Sequence, residues 1–238
     1  MTIVNVYRMG KVFFTADLHF GAVGTLRHLG DRPYSGMEDS RLHDRWLMEL
    51  WKSTVNGNDR VFILGDMCSY DRTKARILLD RLPGHKVLIP GNHDTSLDCC
   101  RGSFDIVRLI LNTHFRKADH TFLAHTMQVS MCHYPMLTWQ GKPHGSIMLH
   151  GHSHGKMDEV NRICPDLRWD VGIDGYLSRQ IGKRNGNGFA LVDLESLYTA
   201  VTEKTGGIGP GKYVRDTYRT EQPPELISAL QCSDYFVH

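Results

Sequence analysis

The chain has 238 residues, 41% hydrophobic and 23% charged, a length that supports one core-forming α/β domain and gives no reason to require a second. Its 28 basic and 26 acidic residues leave a formal net charge of +2. No run of about five like charges occurs, which argues against a nucleic-acid tail or an anionic-membrane anchor. Met1 to Lys11 has no apolar core of signal-peptide length and no later segment approaches a membrane span, so a cytoplasmic protein is expected.

The first predicted element is the apolar strand Lys11–Asp17. Continued extension by two residues would point Asp17 and His19 the same way, with Gly21 turning the chain aside. Ser35-Gly-Met-Glu38 has the form of a capping box, and Leu42, Trp46, Leu47, Leu50 and Trp51 follow at helical spacing, predicting a helix to about Thr54 with Asn56-Gly57-Asn58 as its exit. Both tryptophans read as core. A strand at Arg60–Leu64, a short helix carrying Ala75, Leu78, Leu79 and Leu82 that stops at Pro83-Gly84, and a strand at Lys86–Ile89 complete a parallel strand–helix–strand pattern. Short strands at 121–124, 127–132, 147–149, 169–171 and 188–192 then predict a second sheet packed on the first. Glycine and proline pairs break the pattern from Thr205, leaving a loop and a short helix near 225–230. No internal repeat or low-complexity tract is present.

Five segments place a metal-capable side chain just after an apolar run: Asp17-Leu-His19, Gly65-Asp66, Gly91-Asn92-His93-Asp94, His133, and Gly151-His152-Ser-His154. Because α/β sheets present ligand-binding residues at the carboxyl ends of their strands, the five segments can converge on one edge as a site for two metal ions.

In order and in residue type these segments resemble the calcineurin-like metallophosphoesterases, over the stretch from about Lys11 to about Asp174. The resemblance implies an α/β fold of the four-layer αββα sandwich type; residues 1–204 are expected to form the metallophosphoesterase domain, and 205–238, of which the resemblance says little, an extension of unknown role packed on the same domain. It implies one ion on Asp17, His19 and His154, a second on Asn92, His133 and His152, and Asp66 bridging both. A carboxylate shared by two cations relieves their repulsion. Imidazole, carboxylate and amide donors suit two divalent ions such as manganese (Mn²⁺, the first choice), Fe²⁺, Ni²⁺ or Zn²⁺. The implied reaction is hydrolysis of phosphomono- or phosphodiesters of small molecules, nucleotides among them, by a metal-bridging hydroxide. His93, left without a metal, would act with Asp66 in catalysis as general acid and transition-state stabiliser.

Around that core, His150 reads as a packed or supporting histidine, Asp94 as an orienter, and Cys68 and Cys132 as packing residues; all six cysteines read as reduced thiols. Two positions depart from common family patterns: Ala22 stands where many members have histidine, and Ser69 where an acid would orient the catalytic histidine, with His28, Asp71 or Asp94 as compensating groups. Substrate contact is expected from the loop Tyr134–His144, through Trp139, Lys142 or His144, or else from Arg27 and His28. A nuclease of the same superfamily is the alternative activity, set against by the near-neutral charge. A non-catalytic metal-binding scaffold is the alternative from another class; it would have no need to keep all the ligands and His93. The expected partner is a small phosphorylated substrate, with neither membrane nor nucleic acid.

Overall fold

A computed structural model of the protein describes residues 2–4, 10–29, 31–115 and 127–209. The strand expected at 121–124 and the helix expected near 225–230 lie outside the described residues. No described helix is long and apolar enough to cross a membrane.

After β1 (Thr2–Val4), the chain lays down β2 (Val12–Thr15), a one-turn α1 (Val23–Leu26), α2 (Arg41–Thr54), β3 (Arg60–Ile63), α3 (Arg72–Arg81), β4 (His85–Leu88) and the two-residue β5 (Ile106–Val107). β2, β3, β4 and β5 run parallel in that order. The remaining strands are β6 (Ile110–Phe115), β7 (Met127–Cys132), β8 (Ile147–His150), β9 (Arg168–Asp170) and β10 (Val192–Asp193), interleaved with α4 (Asp158–Ile163), α5 (Tyr176–Arg184) and α6 (Leu194–Lys204). They give an α/β fold of two five-stranded mixed sheets, β10-β2-β3-β4-β5 and β1-β6-β7-β8-β9.

Strand alternation explains how the sheets meet. Phe14, Phe62 and Val87 point one way and join Leu111, Phe115, Val129, Met131 and Leu149 of the other sheet in a shared core. Phe14 and Phe62 stack at 5.5 Å, and Phe115 presents its edge to both rings. The alternate residues Phe13, Val61, Ile63 and Leu88 pack outward on Leu47, Leu50 and Trp51 of α2 and on Ala75, Leu78 and Leu79 of α3. Fully buried side chains of this size each stabilise the fold by about 1.5–3 kcal/mol. Trp51 is 1% exposed and its indole N–H donates to the Pro83 carbonyl at 3.0 Å, whereas Leu42, expected on the same stripe, faces outward.

Three local expectations are corrected. The helix after the first motif starts at Arg41 with Ser40 at its cap, not at the Ser35–Glu38 box; Gly36, at φ +81°, holds that stretch in a turn. The run at 188–192, expected in the second sheet, instead ends in a two-residue strand, Val192–Asp193, that pairs antiparallel with β2 in the first, while Ser178 on α5 exchanges hydrogen bonds with the Ala190 backbone. β2 ends at Thr15, and Asp17 and His19 do not continue it: both adopt left-handed φ, 57° and 53°.

Candidate metal centre

All five expected segments lie just past strand ends: Asp17 and His19 after β2, Asp66 after β3, Asn92 and His93 after β4, His133 after β7, His152 and His154 after β8. The first three are delivered by one sheet and the last two by the other, so the site sits where the two sheets open at a common edge. Backbone bonds keep the loops in register: Asp17 N–H donates to Gly65 O at 3.0 Å, His19 N–H to Asp66 O at 2.9 Å and Gly151 N–H to His133 O at 3.0 Å.

Six described non-glycine residues have positive φ, and five of them are Asp17, His19, Asp66, His152 and His154. Each such conformation costs of order 1–3 kcal/mol and persists only where the surroundings over-determine it. The strain is what makes the side chains converge. Close approach of backbone does the rest. A Cβ on Gly65 would lie 2.3 Å from His133 Nδ1, and one on Gly91 would lie 2.3 Å from Asp66 Oδ1, so neither position admits a side chain.

The donor atoms fall into two groups, Asp17 with His19 and His154, and Asp66 with His133 and His152, each with its atoms within 4.8 Å of one another. Asn92 joins the second through Oδ1, 3.1 Å from His133 Nε2. Asp66 Oδ1 is occupied by the His93 N–H at 2.9 Å, while Oδ2 stands 3.8 Å from His19 Nε2 and 3.5 Å from His133 Nε2. One carboxylate oxygen therefore lies between the groups.

The protonation chemistry of this cluster fits cations. Asp17 Oδ1 accepts the His152 N–H at 3.0 Å, but Oδ2 is buried with no hydrogen-bond partner, and burial pushes its pKa up to about 7. Asp66 is also buried, yet the hydrogen bond and charge of His133 and the His93 N–H outweigh that and hold it at about 2. His133 has Nδ1 on the Leu64 carbonyl at 2.7 Å and turns Nε2 toward Asp66; burial would lower its pKa, but the Asp66 hydrogen bond and the Asp17 and Asp66 charges raise it. His154 has Nδ1 on Asp174 at 2.7 Å, and its Nε2 meets His19 Nε2 at 3.3 Å. Burial and the neighbouring His154 press the His19 pKa down to about 3. Four imidazoles, a buried carboxylate oxygen without a partner and a shared carboxylate oxygen form a set of donor types that fits divalent transition-metal ions.

His93 is exposed at the mouth, its ring 5.3 Å edge-on from that of His19. Asp94, 4% exposed, accepts from the backbone of Asp66, Met67 and Gly91 at 2.7–2.9 Å, and so ties the third segment to the second. His150 is fully buried with Nε2 on Asn161 at 3.0 Å, away from the donor groups. Cys68 and Cys132 are buried free thiols, and burial pushes Cys68 up to about 12. Of the groups named to compensate for Ala22 and Ser69, Asp71 instead caps α3 through the Lys74 N–H.

Within the expected substrate loop, Tyr134–His144, the roles of Trp139 and Lys142 are corrected. Trp139 is 8% exposed, its N–H donates to Ser146 O, and Lys142 lies over its ring at 4.8 Å while pairing with Asp166 at 2.8 Å. A buried ring and a paired ammonium are structural here. Tyr134, 45% exposed, is the aromatic at the site, with its ring 4.9 Å from His133 and 4.7 Å from His152.

Sequence reasoning missed Arg32, Asp170 and Asp174. Asp170 accepts from Ser153 Oγ at 2.6 Å and Gly155 N–H at 3.0 Å, shaping the His152–His154 turn. Arg32 binds Asp174 through Nε at 2.7 Å and Nη2 at 2.5 Å. The acids carried the same signal as the five segments, a carboxylate at the end of an apolar run followed by glycine: Trp169-Asp170-Val171-Gly172. Arg32 carried none. A cavity of about 1060 Å³ lies near the start of β2, between Phe13, Leu50, Ile181 and Tyr198, and no donor residue lines it.

No protein-family model matches the chain. A crystal structure of a protein of unknown function from Aquifex aeolicus, AQ665, superposes with a TM-score of 0.54 over 80% of this chain and 99% of its own, at 15% identity, which shows a shared fold and no more. An uncharacterized protein of Methanocaldococcus jannaschii is 34% identical over 88 residues, 36% of this chain and 48% of its own. The Gene 66 protein of Mycobacterium phage L5 is 29% identical over 197 residues, 71% of this chain and 88% of its own. That of Mycobacterium phage D29 is 33% identical over 190 residues, 71% of this chain. With that identity sustained across 90% of the D29 protein, the chain belongs to the family of the mycobacteriophage Gene 66 proteins.

Proposed function

We propose that the chain is a dinuclear metal-dependent phosphoesterase of the calcineurin-like type, its two sheets and outer helices forming that superfamily's four-layer αββα sandwich. One observation carries the reading: Asp66 Oδ2 stands between two groups of imidazole and carboxylate donors, 3.8 Å from a histidine nitrogen of one and 3.5 Å from a histidine nitrogen of the other. Bound divalent cations would supply Lewis acidity and an activated water.

The chain's own residues do the remaining work. Asp17, His19 and His154 would hold one ion, Asn92, His133 and His152 the other, and Asp66, pinned at Oδ1 by the His93 N–H, would serve both. Three backbone N–H groups fixed on Asp94 keep the Asp66 and Asn92 loops at one spacing, so little reorganisation is needed as the phosphoryl group passes its transition state. His93 stands exposed beside the first ion's ligands and hands a proton to the leaving oxygen. Small phosphoesters are the substrate class, because a formal charge of +2 offers no extended basic track for a polynucleotide backbone.

The test is a Mn²⁺-supported hydrolysis panel of aryl monoesters, aryl diesters, mononucleotides, cyclic nucleotides and short oligonucleotides. Turnover of small esters is expected. Oligonucleotides turning over far faster than every small ester would make the protein a nuclease, and full metal loading with no turnover of any substrate would make it a scaffold.

A further inference from the structure

We infer that Asp174, locked in place by Arg32, is the positioning residue of the first ion's pocket, holding His154 as the Nδ1–H tautomer with Nε2 turned toward the cation. The inference rests on the two-ion reading above and assigns to it two residues outside the donor set.

The pocket draws Asp17 and His19 from the end of β2 in one sheet and His154 from the end of β8 in the other. Something must hold the two sheets' ends at a fixed separation. Arg32 does so with one guanidinium. Its Nη2 donates to Asp17 O at 2.5 Å and its Nη1 to Leu18 O at 3.2 Å, while Nε and Nη2 grip both oxygens of Asp174. Asp174 Oδ2 in turn takes His154 Nδ1 at 2.7 Å. A second arginine braces the same residue through its main chain, Arg179 donating from Nε to the Asp174 backbone carbonyl at 2.8 Å and from Nη1 to Asp31 at 2.9 Å.

Arg32 is 3% and Asp174 4% exposed. A buried ion pair contributes little net stability, because desolvation offsets attraction, and apolar residues of similar volume often do as well. What an apolar pair could not do is accept the imidazole N–H. A carboxylate behind a ligating histidine fixes its tautomer and ring orientation and raises its basicity, and a bidentate guanidinium fixes the carboxylate. The second pocket is built differently: His133 rests on a neutral backbone carbonyl, Leu64 O. The first pocket should therefore hold Mn²⁺ more tightly than the second, by virtue of Asp174.

The experiment titrates the metal-free full-length chain with Mn²⁺, counting free ion by EPR, for wild type, Asp174→Asn and Arg32→Lys. In wild type, two classes of site are expected. Asp174→Asn should weaken the tighter class by about 10–100-fold and leave the weaker unchanged. Arg32→Lys, which keeps the charge but loses the fork, should give a smaller loss in the same class. In parallel, long-range ¹H–¹⁵N spectra of the metal-free wild type at pH 8 should show the His154 ring, assigned by its loss in His154→Gln, protonated at Nδ1. That measurement stands even if Asp174→Asn fails to fold. An Nε2–H tautomer in wild type, or two ions bound by Asp174→Asn as tightly as by wild type, overturns this inference alone. A wild type that takes up no Mn²⁺ overturns the two-ion reading and this inference with it.

Discussion

The two halves of the centre use the same kinds of donor and are built to different standards. Around Asp17, His19 and His154 the walls are buried and ionic: Asp17 is 0% and His19 1% exposed, and Arg32 and Asp174 stand directly behind them. Around Asn92, His133 and His152 only His133 is buried, while Asn92 and His152 are open to solvent and the one support behind His133 is a backbone carbonyl. The difference teaches that coordination and access are divided between the halves. On the proposed reading, the enclosed half would keep its ion, and the open half, with Tyr134 at its rim, would leave room for a substrate oxygen. His93 bridges the division, since its backbone N–H fixes Asp66 and its ring faces His19.

The largest change is expected where the halves join. Asp66→Asn removes the charge shared between the ions, so both metal affinities should fall together and the rate on any substrate by more than about 10³-fold, since losing even one preorganised donor costs about 10²–10³. Elemental analysis with initial rates checks this. Loss of one ion with full retention of the other would mean that the halves are independent and that Asp66 belongs to one of them.

His93→Ala should come next, and its signature separates it from the ligands. Both metals should remain, while the rate on an alkyl phosphate falls about 10²–10³-fold because the alkoxide then leaves without a proton. On p-nitrophenyl phosphate, whose leaving group needs no proton, the loss should be much smaller. Equal losses on both substrates would reduce His93 to an electrostatic stabiliser.

Asn92→Ala sharpens the contrast between enclosed and open halves. It should weaken only the second ion, by about 10-fold, since the change removes one neutral donor from an exposed half. Mn²⁺ titration reads it directly. A matching loss in the tighter class would show that the two pockets are not separable.

How much of this was legible in the sequence differs between the halves in the same way. Residue type after an apolar run located the donor residues, because the carboxyl end of a strand is where an α/β sheet presents its ligands. What periodicity could not give was direction. Asp17 and His19 converge through left-handed φ, not through continued extension, and no pattern of hydrophobicity encodes such a kink in a non-glycine residue. Arg32 lies 142 residues from Asp174 in a loop without periodicity, so the support of the enclosed half was invisible until the chain was folded. Trp139 failed in the opposite sense: an aromatic in a loop between two ligand segments invites a binding role, yet its ring found a buried seat and a backbone acceptor.

The smallest effect concerns the acidic backing of the enclosed half, and its sign follows from proton linkage. Asp158, in the first turn of α4, accepts the Tyr176 N–H at 2.7 Å. Burial, reinforced by the nearby Asp170, pushes its pKa up to about 7. The folded chain therefore binds this proton more tightly than the unfolded chain does. Between about pH 4 and pH 7 the folded state holds the proton and the unfolded state has released it, so stability falls as pH rises through that window, and above it the cost is constant. Asp158→Asn keeps an oxygen for the Tyr176 N–H and carries no charge. The variant should match wild type near pH 4 and exceed it at pH 7.5 by about 2–4 °C in Tm, the shift that roughly 1 kcal/mol gives in a chain of this size once the group's partial exposure is allowed for. Metal-free protein is the sample to melt, so that ion binding does not mask the difference. A variant less stable than wild type at pH 7.5 would mean that the ionised carboxylate is welcome there, and that the acid-rich shell around the His152–His154 turn strengthens the enclosed half at no cost in folding.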